Sequence, residues 1–244
     1  MNVQNLYEPF PSIIIDDHYD DDELDLIWNE LDYLTHPSRM KRSDQVYGSA
    51  GTSEGEILKN NYVIWLDDYF PNRSCSNILN TVQLDCEIPI SHGHWIFSCR
   101  TVKKYSTQIL YYEDGNEYKP HWDESIFTSL TWLYNEPKSF TGGNLVFPEY
   151  DVEVELLNNR TVIFPGTIIH HATSVNMEES NFEGFGRYCI SQFFLSHEST
   201  QLATPLQKGG QTKTQTTGTA FCKSQTQTVD KPSTEPHQAW GFVV

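Results

Sequence analysis

The chain has 244 residues, of which 33 are acidic and 16 are basic, so its formal net charge is −17. Hydrophobic residues make up 38% of the sequence, enough for one sizeable core, which excludes a wholly disordered chain. The excess of carboxylates disfavours nucleic acid or an anionic membrane as a partner, because binding to either needs lysine and arginine. The five cysteines include no CxxC pair, and no long apolar run is present. We therefore expect a soluble, cytoplasmic protein.

The N-terminal part of the sequence predicts a strand followed by helices. A β-branched run predicts a strand over Ser12–Asp16, and the acidic cluster at 20–23 predicts a helix start. Apolar residues from Leu24 to Leu34 then recur at helical spacing, which predicts one buried face. The segment from Lys41 to Lys59 is rich in Ser, Gly, Asp and Glu and predicts an irregular surface loop. From Tyr62 to Leu84 the pattern again favours helices.

From Trp95 onwards the sequence changes to short segments rich in β-branched and aromatic residues, separated by turn-forming residues. The predicted strands are Thr107–Tyr112, Ser125–Tyr134, Asn144–Phe147, Val152–Leu156, Arg160–Phe164, Thr167–Ala172 and Arg187–Leu195. Strands at this spacing indicate a sandwich, barrel or jelly roll rather than a parallel sheet. A tract rich in Gln, Thr, Lys and Ser predicts a disordered tail over residues 200–244.

Three candidate metal ligands lie in the β-rich part of the chain. His121 and Asp123 are two residues apart, so on a strand their side chains would face the same way. His170 and His171 end another predicted strand, where adjacent side chains would face opposite ways. Two histidines and one carboxylate on one face of an octahedron leave three positions open, the arrangement found in non-haem Fe(II) oxygenases. Either half alone is weak evidence, because an HxD tripeptide often arises by chance.

Four sequence blocks between Thr107 and Leu195 resemble the Fe(II)/2-oxoglutarate-dependent dioxygenases of the prolyl 4-hydroxylase-like group, in that family's order. The blocks are Y-x-x-G-x-x-Y-x-x-H-x-D from Tyr112, G-G-N-L-V-F-P from Gly142, P-G-T-I-I-H-H-A-T-S-V from Pro165 and G-R-Y-C-I-S from Gly186. The resemblance implies an α+β, mainly β fold: a double-stranded β-helix, or jelly roll, over about residues 95–197, with N-terminal supporting helices. Residues 1–199 would form this oxygenase domain.

The resemblance also implies a metal centre and its cofactors. His121, Asp123 and one distal histidine would bind Fe(II), 2-oxoglutarate would chelate the metal, and ascorbate is a candidate reductant. In the family, a valine follows the ligand histidine by five residues, so Val175 favours His170 over His171. The other histidine would pack behind the ligands or face solvent.

Two further residues match the family's co-substrate site. Arg187 matches the basic residue that binds the far carboxylate of 2-oxoglutarate, and its planar fork suits that group. Tyr112 matches a tyrosine beside the co-substrate, whereas Tyr118 is expected to pack behind the metal ligands. Arg187 lies seventeen residues after His170, where the family usually has about ten, so we expect an insertion over 178–184 that a hairpin extension would absorb. The animal collagen-modifying branch carries lysine at the position of Arg187.

The implied reaction converts 2-oxoglutarate and O₂ to succinate and CO₂ while a substrate C–H bond is hydroxylated. Asp123 separates the chain from halogenating relatives, which lack the carboxylate ligand. Alkylated-base demethylases carry a second arginine where this sequence has Phe193, which disfavours nucleic-acid repair.

The substrate implied by the resemblance is a prolyl residue in a peptide or protein. An aromatic rim of Trp122, Trp132 and Tyr134 could hold such a chain, although these residues could equally belong to the core. A free amino acid or another small molecule stays open as the substrate. A non-catalytic jelly-roll binding module and a zinc hydrolase are the alternatives from other classes.

His92 and His94 have metal-like spacing but no third partner, so we expect them to be structural or surface residues.

Overall fold

The computed structural model describes residues 1–35, 38–46, 57–82, 87–178 and 184–196. The helices of these residues are α1 (Asp21–Leu34), α2 (Leu66–Tyr69), α3 (Asn77–Thr81) and α4 (Glu87–Ser91). The strands are β1 (Asn2–Leu6), β2 (Ser12–Asp16), β3 (Lys41–Arg42), β4 (Tyr62–Trp65), β5 (Lys104–Tyr112), β6 (Tyr118–His121), β7 (Phe127–Leu133), β8 (Phe140–Gly142), β9 (Leu145–Phe147), β10 (Val152–Val154), β11 (Arg160–Phe164), β12 (His170–Ala172), β13 (Val175–Met177) and β14 (Arg187–Leu195). The predicted tail over 200–244 lies outside the described residues. Within them, no helix is long and apolar enough to cross a membrane.

The strands form a jelly roll. A large antiparallel sheet has the order β1-β2-β11-β7-β14-β5-β4-β3, and a smaller sheet has the order β10-β9-β12-β6. β8 and β13 form a separate two-stranded sheet. The expected mainly β, double-stranded β-helix fold is therefore confirmed. The large sheet also includes β2 and β4, which lie before the predicted core at 95–197.

The central strands of the large sheet bury side chains on both faces. Successive side chains of a strand point in opposite directions, so neighbouring residues of β5 pack in different hydrophobic clusters. On β5, Leu110 and Tyr112 pack in the cluster between the two sheets. Their neighbours Ile109 and Tyr111 pack instead with the cluster formed by α1 and α3. The helices therefore cover one face of the sheet and leave the other face to the interior of the jelly roll.

Helix α1 follows the sequence prediction closely. Asp20 caps its N-terminus in a capping box with Glu23, which satisfies two backbone N–H groups that have no partner inside the helix. Near the middle of the helix, the buried carboxylate of Glu30 accepts hydrogen bonds from Ser76 Oγ at 2.6 Å and Ile78 N at 3.2 Å. These bonds join α1 to the start of α3, so the supporting helices form one layer.

Two local expectations were wrong. Tyr62–Trp65 is not helical but forms β4, because it pairs with β5 on one side and β3 on the other. The segment from Lys41 to Lys59 is not all irregular loop, since it contains β3 and ends at Lys59, which is buried and forms a β-bridge with Tyr118. Residues 47–56 of that segment lie outside the described residues.

Burial of His18 makes the stability of this fold sensitive to acid. His18 Nδ1 lies 2.6 Å from Thr161 Oγ1 on β11, and burial, aided by the positive charge of the N-terminus, lowers the pKa of His18 to about 4. An unfolded histidine titrates near 6.5, so between these values the unfolded chain binds more protons than the folded chain. The free energy of unfolding should therefore fall as the pH drops from 6.5, by up to about 3 kcal/mol near pH 4.

The variant His18→Gln should lose this acid-sensitive component, because glutamine can still bond the Thr161 hydroxyl without titrating. The measurement is urea unfolding at a series of pH values between 7 and 4. His94→Gln, at a half-buried position, serves as the matched control and should keep the slope of the wild-type protein. An unchanged slope in His18→Gln would contradict the assignment.

Candidate metal centre

Antiparallel pairing of β6 with β12 brings two of the predicted ligands together. His121 lies directly opposite His170 in this pairing, and the centroids of their rings are 4.3 Å apart. Asp123 follows β6, and its backbone N–H donates to Gly166 O at 2.8 Å, which holds it beside the end of β12. Asp123 Oδ1 lies 3.8 Å from His121 Nε2, and Oδ2 lies 3.5 Å from His170 Nε2. Over the described ranges, this is the only group of three such side chains with ligand atoms within 4.8 Å of one another.

Hydrogen bonds orient the three side chains toward a common point. His121 Nδ1 lies 2.9 Å from Lys119 O, and His170 Nδ1 lies 2.8 Å from Ile168 O. Each ring therefore uses Nδ1 to bond the backbone and directs Nε2 toward the carboxylate. A backbone carbonyl behind a histidine commonly fixes the tautomer of a metal ligand. On the acidic side, Thr128 Oγ1 donates to Asp123 Oδ2 at 2.6 Å.

Burial sets the protonation of these groups. It lowers the pKa of His121 to about 2, and the neighbouring His170 adds to this effect, so the imidazole of His121 is neutral and can donate an electron pair. Burial also raises the pKa of Asp123, although His170 and the hydrogen bond from Thr128 oppose that shift. A cation at the common point would offset the unfavourable burial of the carboxylate. The donor set therefore fits a divalent metal ion.

The structure places His170, and not His171, in this cluster. His170 is 3% exposed and faces Asp123, whereas His171 is half-buried and lies opposite Val146 of β9. Adjacent residues of a strand point to opposite sides of the sheet, so only one of the two can reach the common point.

Arg187 lies in the same cavity, and it forms no ion pair with any carboxylate of the described residues. It stands opposite Tyr112 in the pairing of β14 with β5, is 2% exposed, and its Cζ lies 4.4 Å from the centroid of the Tyr112 ring. Among the described residues, neither its Nε nor its Nη1 has a hydrogen-bond partner, and the nearby indole N–H of Trp132 has none either. A buried guanidinium with free donors suits a bidentate carboxylate, so this end of the cavity fits 2-oxoglutarate. Arg187 lies in the cavity although the connection between His170 and Arg187 is longer than usual in the family. Residues 179–183 of that connection lie outside the described residues.

Two adjacent glycines make room for this arginine. Gly142 and Gly143 have φ angles of +73° and +77°, a conformation that side chains other than glycine rarely adopt. A Cβ atom on Gly143 would lie 2.7 Å from Arg187 Cδ, and one on Gly142 would overlap the carbonyl oxygen of Ser174. The glycine pair is therefore required both by the turn and by the position of the guanidinium.

The cavity between Arg187 and the metal ligands is narrow in this conformation. It has a volume of about 30 Å³, room for one or two water molecules. Its lining residues are Gln108, Leu110, Tyr112, Tyr118, His121, Asp123, Leu130, Leu145, His170, Ala172, Arg187, Cys189, Ser191 and Phe193.

Tyr118 and Lys59 form a layer behind the metal ligands. The Tyr118 ring stacks on the His121 ring with centroids 3.5 Å apart. Lys59 Nζ lies 4.8 Å from the centroid of the Tyr118 ring. Burial lowers the pKa of Lys59 to about 7, and the negative charge of Asp123 opposes this shift. Sequence reasoning missed Lys59, because it stands at the end of a polar segment that predicts a surface loop.

The remaining candidate residues lie elsewhere. Trp122 is 56% exposed, but Trp132 and Tyr134 are buried in the core, so the expected aromatic rim is wrong for these two residues. His92 is buried, and its Nε2 lies 2.8 Å from Leu6 O. It packs against Phe97 and serves a structural role, as expected.

Comparison with known proteins agrees with this geometry. Residues 107–195 match the model of the 2OG-Fe(II) oxygenase superfamily. This segment is therefore similar in sequence to the 2OG-Fe(II) oxygenase superfamily. The cofactors of the superfamily are Fe(II) and 2-oxoglutarate, as the sequence predicted. No curated protein matches the sequence.

Solved 2OG-Fe(II) oxygenases share the fold. A prolyl 4-hydroxylase from Pseudomonas putida is 15% identical, with a TM-score of 0.53 over 77% of this chain and 93% of that protein. An oxidoreductase of the 2OG-Fe(II) oxygenase family from Burkholderia pseudomallei is 16% identical, with a TM-score of 0.51 over 76% of this chain and 85% of that protein. At these identities the likeness shows the fold, and the substrate remains a separate question.

Replacing each of the adjacent histidines tests which one belongs to the candidate metal centre. His170→Ala removes a side chain that faces Asp123 and should weaken Fe(II) binding by about 100-fold or more. His171→Ala removes a neighbour that faces away and should leave the affinity nearly unchanged. Anaerobic calorimetric titration with Fe(II) measures both effects. Equal losses in the two variants, or a larger loss in His171→Ala, would contradict the assignment.

Replacing Arg187 tests the co-substrate end of the cavity. Arg187→Met should weaken 2-oxoglutarate binding by about 100-fold, because it removes a buried charge-assisted bond worth about 3 kcal/mol. Arg187→Lys should lose less, because it keeps the charge but not the fork. Arg160→Met is the control, since Arg160 pairs with Asp16 on another part of the large sheet. Titration of the Fe(II)-loaded protein with 2-oxoglutarate gives the affinities, and an unchanged value for Arg187→Met would rule out this role.

Proposed function

We propose that this oxygenase hydroxylates a C–H bond of a prolyl residue in a peptide, and that His121, Asp123 and His170 bind its Fe(II). The observation that carries the oxygenase chemistry is the convergence of these three side chains near a buried Arg187 whose Nε and Nη1 have no hydrogen-bond partner among the described residues. The prolyl substrate is supported by the sequence blocks shared with prolyl 4-hydroxylases and by the likeness to the Pseudomonas putida enzyme. The overall reaction converts the substrate, O₂ and 2-oxoglutarate to hydroxylated product, succinate and CO₂.

In this proposal the chain supplies binding and orientation. When bound, Fe(II) and 2-oxoglutarate supply the oxidation, as cofactors do in such enzymes. Arg187 binds the far carboxylate of the co-substrate, and Tyr112 lies beside it. Thr128 fixes the Asp123 carboxylate, and Tyr118 covers the outer face of the His121 ring. The apolar strands of both sheets exclude bulk water from the reacting groups.

Hydroxylation of a small carboxylic acid, such as a free amino acid, is the second candidate. The shared sequence blocks leave it open, because they cover the candidate metal ligands and the co-substrate residues and not a substrate site. The two candidates share the metal centre and the co-substrate. They differ in whether the substrate carries a charge close to the reacting carbon.

A coupled assay tests the proposed function. Purified protein with Fe(II), 2-oxoglutarate and ascorbate is incubated under ¹⁸O₂ with proline-containing peptides and, separately, with free amino acids. We expect succinate release stimulated by a prolyl peptide, and a product that carries one labelled oxygen atom by mass spectrometry.

His121→Ala should abolish both succinate release and labelled product, whereas His171→Ala should retain them. Stimulation by a free amino acid alone would replace the prolyl proposal with the second candidate. Absence of metal uptake would instead favour a non-catalytic module, and hydrolysis with Zn²⁺ that ignores 2-oxoglutarate would favour a zinc hydrolase.

A further inference from the structure

Two polar residues of the cavity wall have no part in the chemistry described so far. Gln108 and Ser191 line the cavity together with the candidate metal ligands and Arg187. Gln108 is 3% exposed, and among the described residues its Oε1 has no hydrogen-bond partner. Ser191 is also buried, and in that part of the chain the one partner of its hydroxyl is the Cys189 thiol at 3.5 Å. Sulfur is a weak partner and an unpaired buried polar atom is unfavourable, so this wall has hydrogen-bonding capacity for a ligand.

Strand pairing places this polar pair between the metal end of the cavity and the end at Arg187. Ser191 on β14 lies directly opposite Gln108 on β5. Two residues further along, β14 lies opposite Thr128, whose hydroxyl holds the Asp123 carboxylate. Arg187 begins β14, four residues away in the other direction. At about 3.3 Å per residue, the pair is about 7 Å along the strand from the level of Thr128 and about 13 Å from the level of Arg187.

The wall around the pair is otherwise apolar. Leu130 lies opposite Ser191 on β7, and Leu110 and Phe193 are each two residues from a member of the pair and point into the same cavity. These three side chains have no hydrogen-bonding groups. Among the lining residues at this level, a polar ligand therefore finds hydrogen bonds only at the Gln108 amide and the Ser191 hydroxyl.

The co-substrate matches what this pair offers. 2-Oxoglutarate has two carboxylates and a keto group, so it presents only hydrogen-bond acceptors. A hydroxyl is a donor, and a carboxamide carries an NH₂ group that changes places with its oxygen by a half-turn about the last side-chain bond. Arg187 suits the far carboxylate of the co-substrate. The pair, which lies closer to the metal end, is left for the keto-acid end.

We propose that Gln108, assisted by the Ser191 hydroxyl, donates a hydrogen bond to the keto-acid end of the co-substrate. This inference rests on the proposed function, because it requires Fe(II) and 2-oxoglutarate in the cavity, and it adds to that function a residue that selects 2-oxo acids. Arg187 then holds one end of the co-substrate and Gln108 the other. The apolar wall between them meets the methylene groups.

Anaerobic titration of the Fe(II)-loaded protein with two 2-oxo acids tests this assignment. 2-Oxoglutarate has both ends, whereas 2-oxobutyrate has the keto-acid end but no second carboxylate. Gln108→Met keeps the volume of the side chain without the amide, and it should weaken the binding of both acids by the same factor, about ten- to a hundredfold. Arg187→Met should weaken the binding of 2-oxoglutarate alone. Gln108→Glu should bind both acids more weakly than Gln108→Met, because it places a negative charge beside their carboxylate.

Absorption spectroscopy gives a second readout at the metal. A keto acid chelated to Fe(II) has a visible charge-transfer band, and its energy depends on hydrogen bonds to the keto acid. Gln108→Met should shift this band for both acids, and Ser191→Ala should shift it less.

Gln192→Met is the matched control. Gln192 follows Ser191 on β14, is equally 3% exposed, and its Nε2 has no partner among the described residues. Because adjacent side chains of a strand alternate, Gln192 points to the other face of the sheet. This variant should keep the wild-type band and the wild-type affinity for both acids.

Several results would overturn the proposal. Unchanged affinities and an unchanged band in Gln108→Met would remove Gln108 from the site. A loss for 2-oxoglutarate without a loss for 2-oxobutyrate would move the contact to the end at Arg187. Weaker Fe(II) binding by Gln108→Met in the absence of any acid would give Gln108 a structural role in the metal centre instead.

These measurements use no primary substrate, so they decide the role of Gln108 whether or not a prolyl compound is hydroxylated. A wild-type protein that binds Fe(II) but neither acid would overturn the co-substrate assignment and the role of Gln108 together. A Gln108→Met variant that binds both acids normally but loses affinity for the hydroxylated substrate would make Gln108 a substrate-binding residue and would also overturn the proposal.

Discussion

The pairing of two short strands, β6 and β12, is the interaction on which the candidate site depends. This pairing sets His121 opposite His170 although the two residues are far apart in the sequence. Because the side chains of a strand alternate, a shift of one residue would turn one imidazole away from the other. The backbone bond from Asp123 N–H to Gly166 O adds the carboxylate to the same point. The metal centre is therefore a consequence of strand register, and hydrogen bonds to the backbone only refine its orientation.

The large sheet holds the pairing of β6 with β12 in place. It also connects the end of the cavity at the candidate metal ligands to the end at Arg187. β14 pairs along its whole length with β5, so Arg187 is held opposite Tyr112 whatever the length of the connection before it. The opposite face of these strands packs on the helices, where Tyr111 and Tyr188 join the cluster around α1. The helices pack on the face of the sheet where Tyr111 and Tyr188 lie, and so complete the burial of the sheet that carries Arg187. Removal of that layer would expose apolar side chains and loosen both ends of the cavity.

Sequence reasoning succeeded where a local pattern and the fold agree. The apolar spacing of α1 and the β-branched run of β11 identify their elements directly, and Arg187–Leu195 matches β14 at both ends. It failed at β4, because the alternation of Tyr62–Trp65 is too short to distinguish a strand from one turn of helix, and only pairing with β5 decides between them. The burial of Lys59 could not be predicted from the sequence either, because it depends on other segments of the chain that pack over this lysine. The candidate ligand set came from family-like blocks, whereas the choice between neighbouring histidines could be examined geometrically only once the strand pairing was known.

The absence of a side chain at Gly143 has a consequence for how this cavity can change during evolution. The guanidinium occupies the space that a methyl group at position 143 would need. A side chain there would strain the turn and would also force the Arg187 side chain out of its present position. The position of the cation in the cavity thus depends on an atom that residue 143 lacks.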